Sequence, residues 1–201
     1  MGSSTARRTA PVFVITGPSG AGKGTLEREL LRRLPGRLEL AISATTRPQR
    51  PGEENGVHYW FVDDARFTEL AAEGELLEWV EFVRGHRYGT LRSEIHRIRE
   101  RARAPVLDLE IEGAQRVRDE VPGAVVVFVD APLAELERRL RERATESSGE
   151  IGERLVIARG QKEHRDDFDH VVENYDLPRA ADELVAIVRE RLEHAATIRG
   201  R

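Results

Sequence analysis

Apolar residues fall in two rhythms along this chain. Short β-branched runs at 12–16, 106–109 and 125–129, and a weaker one at 170–172, alternate with longer stretches in which apolar residues recur every three or four positions. The runs predict buried strands and the stretches predict amphipathic helices, so their alternation predicts an α/β fold with a parallel sheet between helices. A first helix over 26–34 stops at Pro35-Gly36, and Ala131-Pro132 opens another with Leu133, Leu136 and Leu140 on one face. A last helix over 179–194 carries Leu184, Ile187, Val188 and Leu192 at similar spacing. Proline at a start and glycine past an end are the expected punctuation.

Two regions break the alternation. Residues 43–90 are rich in Pro, Gly, Arg and aromatics, with short strand-like pieces at 58–62 and 76–82, and 143–152 is a polar stretch whose tip falls at 145–149. Long insertions in a compact fold are commonly lids or binding loops. The expected layout is a disordered tail at 1–10 and a single domain over 11–201. Its core is 11–42, 91–142 and 153–201, with a small mixed α/β insertion at 43–90 and a mobile lid at 143–152.

The strongest chemical signal joins the first strand to the first helix: Gly17-Pro18-Ser19-Gly20-Ala21-Gly22-Lys23-Gly24-Thr25. A strand feeding a glycine-rich turn that opens a helix aims several backbone N–H groups and the positive helix end at one anion. Lys23 then reaches the outer phosphates as a mobile point charge. The string resembles the phosphate loop of P-loop NTPases, which implies a three-layer sandwich with helices on both faces of the sheet. Gly24 stands where the pattern G-x-x-x-x-G-K-[ST] has a hydroxyl that ligates Mg²⁺, and Thr25 follows it. The string Gly-Lys-Gly-Thr resembles the loop of adenylate kinases, which implies a Mg²⁺ held largely through water and phosphate oxygens.

Composition sharpens this reading. Of 32 basic residues only Lys23 and Lys162 are lysines, so the loop keeps a compact ammonium in a chain that otherwise uses arginine. The net charge of −4 argues against nucleic acid as a partner, because duplex binding needs a broad basic face. Cysteine is absent, which excludes a disulfide framework and fits a cytoplasmic protein. The longest purely apolar run, 125–129, is far too short to span a membrane. A monomer and a homodimer both remain open.

A second anion site is readable at 43–59, where Arg47 and Arg50 stand three apart on a proline-stiffened segment that also holds Tyr59. Two guanidinium forks and a phenol suit a phosphate monoester. With Ser43-Ala44-Thr45-Thr46-Arg47, Arg50-Pro51-Gly52-Glu53, Glu78-Trp79, Tyr88-Gly89-Thr90 and Leu107-Asp108 following the phosphate loop in order, the chain resembles guanylate kinases from about residue 12 to 188.

That resemblance implies phosphoryl transfer from ATP to GMP (and dGMP) with Mg²⁺. It implies a GMP site of Ser43, Arg47, Arg50, Tyr59, Glu78, Tyr88, Thr90 and Asp108, and an ATP site of residues 17–25 with Asn174 near the adenine. It makes Arg139, Arg143 and Arg154, beside Lys23, the lid and catalytic cations. Thr25, Asp108 and Glu110 are the candidate metal-side groups; Glu110 falls where the family more often has aspartate. The residue types suit guanine, whose N1–H and N2–H₂ donors match the Glu78 carboxylate and whose O6 accepts from a hydroxyl. Two rival readings use the same residues: a phospho-partner binding module without catalysis, and a kinase of this fold with another phosphate acceptor. Retained Lys23, Arg143 and Arg154 speak against the first.

Overall fold

The computed structural model describes residues 10–81, 85–142 and 148–199. The chain runs β1 (Phe13–Thr16), α1 (Lys23–Arg33), β2 (Leu38–Leu40), β3 (Ala44–Thr45), β4 (Trp60–Phe61), α2 (Asp64–Ala72), β5 (Leu76–Glu81) and β6 (Arg87–Leu91). It continues through α3 (Arg92–Glu100), β7 (Ala104–Asp108), α4 (Ile111–Glu120), β8 (Val125–Asp130), α5 (Leu133–Glu142), α6 (Ser148–Lys162), β9 (His170–Glu173) and α7 (Leu177–Arg199).

Five strands form the central sheet in the order β2-β7-β1-β8-β9, and every pairing in it is parallel. Alternate residues of one strand feed opposite layers, as the period of two requires. Phe13 and Ile15 join a core with Leu26 and Leu30 of α1 and Leu184 and Val188 of α7. Val12 and Val14 join a second core with Ile98 of α3 and Ala114 and Val117 of α4. Both faces of β1 are thus dry, which is why the strand reads as an unbroken apolar run. Each such side chain contributes about 1.5–3 kcal/mol on burial.

A second, four-stranded sheet lies within the insertion in the order β4-β3-β6-β5. Its small core joins Ala44, Phe67, Leu70 and Leu76. Asp63 caps α2 by accepting from the Arg66 N–H at 2.7 Å, the ordinary way to satisfy a first-turn donor.

Several boundaries differ from the sequence expectation. The first helix starts at Lys23 rather than 26, because Gly22 adopts a left-handed conformation (φ +90°) and turns the chain directly into α1. The last helix runs from Leu177 to Arg199, longer at both ends than expected. Ser148 and Gly149, expected at the tip of a polar loop, lie in the first turn of α6. The tail at 1–9, Arg143 and 144–147 lie outside the described residues.

Candidate active site

The phosphate loop sits where strand order places a ligand crevice, at the carboxyl end of β1 with β7 on one side and β8 on the other. Gly17 has φ +135°, and a Cβ there would run into the Val129 carbonyl of β8, so only glycine lets the loop leave the sheet at this point. The Ala21 carbonyl accepts from Asn174 Nδ2 at 2.6 Å and from an Arg139 Nη at 3.1 Å. Arg139 also donates to the Asn174 carbonyl at 2.8 Å and to Glu135 at 2.6 Å. These bonds fix the carbonyl side of the loop, and the Ala21 N–H is itself held by the Pro18 carbonyl at 3.1 Å. Lys23 Nζ donates to the Gly17 carbonyl at 2.8 Å, resting against the loop it serves.

Beside this loop opens a cleft of about 300 Å³. Asp108 at the end of β7, Lys23 at the start of α1 and Glu110 just before α4 line it on one side; Ser43, Tyr59, Glu78, Tyr88 and Gly89 line it from the insertion. The register of β5 on β6 sets Glu78 opposite Thr90, and the Thr90 hydroxyl donates to Glu78 Oε1 at 2.8 Å. Glu78 and Thr90 are both buried. Helix α4 approaches the same carboxylate through Gly113, where an added Cβ would stand 2.6 Å from Glu78 Oε2.

Arg47 holds the insertion's loop together. Its guanidinium donates to both Glu53 oxygens at 2.8 and 3.0 Å and to the Pro48 carbonyl at 2.7 Å. It also lies 5.3 Å from the centre of the Tyr59 ring. Tyr59 packs edge-on against Tyr88 with centroids 6.0 Å apart. Arg50 is exposed, and its backbone N–H donates to Glu53 at 2.8 Å.

Charge and burial compete here. Burial pushes the Glu78 carboxyl above the usual carboxylate range, against the bond from Thr90 that pulls it down. Asp108 opens on the cleft but is walled by protein; burial raises it and Glu110 adds to the rise, while Lys23 lowers it. On α1, burial pushes Glu27 up to about 8, with Asp108 adding and Lys23 opposing. At the loop's outer edge the Arg47 ion pair holds Glu53 down at about 2. The acids whose charge Lys23 meets, Glu27 and Asp108, and Glu110 in the same cleft offer hard oxygens, and Glu27 Oε1 is buried without a partner. Such a set fits Mg²⁺.

The chain matches the family described as guanylate kinase over residues 9–191. The chain belongs to the guanylate kinase family. It is 47% identical to the guanylate kinase of Aromatoleum aromaticum over 186 residues, covering 92% of this chain and 90% of that protein. The guanylate kinase of Thermobifida fusca is 45% identical over 176 residues, covering 87% and 89%. The crystal structure of guanylate kinase from Anaplasma phagocytophilum superposes with a TM-score of 0.73 at 27% identity, over 92% of this chain and 87% of that one.

Against this guanylate kinase frame, Lys23, Ser43, Tyr59, Glu78, Tyr88, Asp108 and Glu110 line one cleft, with Thr90 bonded to Glu78 at its wall. Arg139 and Asn174 instead brace the phosphate loop, and Arg154 is exposed on α6. Thr25 is turned to Arg28, accepting at 3.1 Å. Arg143 lies outside the described residues. Glu53 is not among the site residues expected from the sequence, although an acid six residues after Arg47 on one tight loop is a signal for its partner. Nor is Glu27, an acid set between the buried Leu26 and Leu30 in the apolar stripe of α1.

Proposed function

We propose that the protein transfers the γ-phosphoryl group of ATP to GMP, and also to dGMP, whose base and phosphate are the same. The observation that carries this is a single cleft joining the phosphate-loop lysine, Lys23, to a buried carboxylate–hydroxyl pair, Glu78 and Thr90. Residues 17–25 receive the donor phosphates, with Lys23 moving from the Gly17 carbonyl to the outer phosphate oxygens. Glu78, held by the Thr90 hydroxyl, accepts from the guanine N1–H and N2–H₂, and Ser43 donates to O6. Arg47, Arg50, Tyr59 and Tyr88 hold the acceptor phosphate. Adenine at that position would leave Glu78 facing N1, an acceptor, and each buried polar group left without its partner costs about 1–3 kcal/mol.

The acceptor needs no general base, since a phosphate monoester is largely dianionic at neutral pH with a second pKa of about 6. Acceleration then comes from alignment and charge: Lys23 and the arginines on and before α6, Arg154 and Arg143, compensate the negative charge on the transferred group. Arg139 contributes by keeping the loop in shape. Mg²⁺, when bound, neutralises the donor phosphates, and Thr25, Asp108 and Glu110 are the residues that would hold it or its waters. A coupled spectrophotometric assay of the purified protein with ATP tests the reading. Turnover with GMP and dGMP but not with AMP or UMP is expected, and equal turnover of AMP would overturn it.

A further inference from the structure

Helix α1 opens without the hydroxyl that would face a metal-bound nucleotide, because residue 24 is glycine. Another oxygen stands close to that place. A Cβ built on Gly24 would have Glu27 Oε2 and an Arg28 Nη as its nearest neighbours, both at 3.9 Å. A serine hydroxyl one bond beyond that Cβ would come within reach of the Glu27 carboxylate. Positions 23, 24 and 27 share a helix face through the i+3 and i+4 spacing, so Glu27 lies on the side of α1 that carries Lys23. Lys23 and Asp108 both act electrostatically on its carboxyl group.

Packing alone gives no reason for an acid at this position. Glu27 is 4% exposed, between the fully buried Leu26 and Leu30, and its Oε1 has no hydrogen-bond partner. A buried carboxylate oxygen without a donor is destabilising unless something absent from the protein itself satisfies it. Among the described residues no three His, Cys, Asp or Glu side chains converge into a cage. An ion here would therefore take its remaining ligands from phosphate and water, as Mg²⁺ commonly does.

We infer that Glu27 is a Mg²⁺-side residue of the ATP site: its carboxylate holds the coordination shell of the nucleotide-bound ion in place of the hydroxyl missing at Gly24. The inference rests on the reading of residues 17–25 as the ATP site. It explains how a loop without its usual hydroxyl keeps a protein oxygen next to the metal, and why that oxygen comes from one turn further along α1.

The test uses the full chain and reads metal binding directly. ATP affinity is measured by calorimetry in EDTA, and Mn²⁺ is titrated into the protein–ADP complex by electron paramagnetic resonance. Wild type is compared with Glu27→Gln and with Glu27→Gln carrying Gly24→Ser. Gly24 has room for a side chain, since both neighbours stand at ordinary contact distance. In Glu27→Gln, metal-free ATP binding should stay within about twofold while Mn²⁺ affinity falls about 10- to 100-fold, the range for lost partners of a metal site. Adding Gly24→Ser should restore most of that loss. Unchanged Mn²⁺ affinity in Glu27→Gln would overturn the inference alone, and so would an equal loss of metal-free ATP binding, which marks a structural role. Wild-type protein that binds no ATP would overturn the underlying reading as well. Should Glu27→Gln not fold, Glu27→Leu, matched to its apolar neighbours, reads the same loss.

Discussion

Changing Glu78 to glutamine removes one buried charge and one hydrogen-bond acceptor while keeping the length and shape of the side chain. Oε1 is committed to the Thr90 hydroxyl at 2.8 Å, and the second oxygen lies beside Gly113. In glutamine one oxygen becomes an NH₂ group, so a guanine donor meets a donor. The loss combines a hydrogen bond to a charged group with an unpaired donor, together about 3–4 kcal/mol. Converted at 1.4 kcal/mol per tenfold, kcat/KM for GMP falls about 100- to 1000-fold. The KM for ATP should stay within about twofold, because no phosphate-loop contact involves Glu78. Stability should move the other way. The fold raises the Glu78 pKa, so this group's contribution is fully present below its unfolded value and is lost as pH rises through the folded one. Glutamine has no such loss, so the variant should melt at or above wild type at pH 8, with the gap closing toward pH 5. A coupled assay and thermal melts at the two pH values check both halves. A loss under tenfold for GMP, or equal losses for ATP and GMP, would refute the reasoning.

Three further outcomes follow from the same contacts. Gly113→Ala places a methyl 2.6 Å from Glu78 Oε2, so the KM for GMP should rise at least tenfold in steady-state assays while ATP binding by calorimetry is unchanged. Asn174→Ala removes the bond to the Ala21 carbonyl and should lower the unfolding free energy by about 1–3 kcal/mol in urea titrations, with weaker ATP binding. Lys23→Met should reduce kcat about 1000-fold while GMP still binds with wild-type affinity, because the lost charge acts on the transferred group.

The parts most legible in the sequence were those where one residue type answers one physical demand. Residues 12–15 are apolar throughout because both faces of β1 are covered, and the Gly17-to-Thr25 string follows from a backbone that must approach an anion. Residues 43–90 were harder. β3 and β4 are two residues each, too short for any period to register, and β6 carries a glycine that breaks its alternation. The helix at Ser148–Lys162 was partly hidden by its opening Ser148-Gly149, residues that by local propensity favour a turn. In the site, residue identity located Glu78, Thr90 and Asp108. The partners that decide their state, such as Gly113 beside Glu78 and Glu27 near Asp108, become neighbours only through the fold.

In the proposed function one cleft seats two nucleotides, the donor on main-chain amides and an ammonium, the acceptor on guanidinium groups and a carboxylate matched to guanine. The most direct measurement follows ³¹P resonances of ATP and GMP in the presence of the purified protein. The ADP and GDP signals should grow equally at the expense of both substrates. ATP consumed to inorganic phosphate with the GMP resonance unchanged would contradict the proposed function.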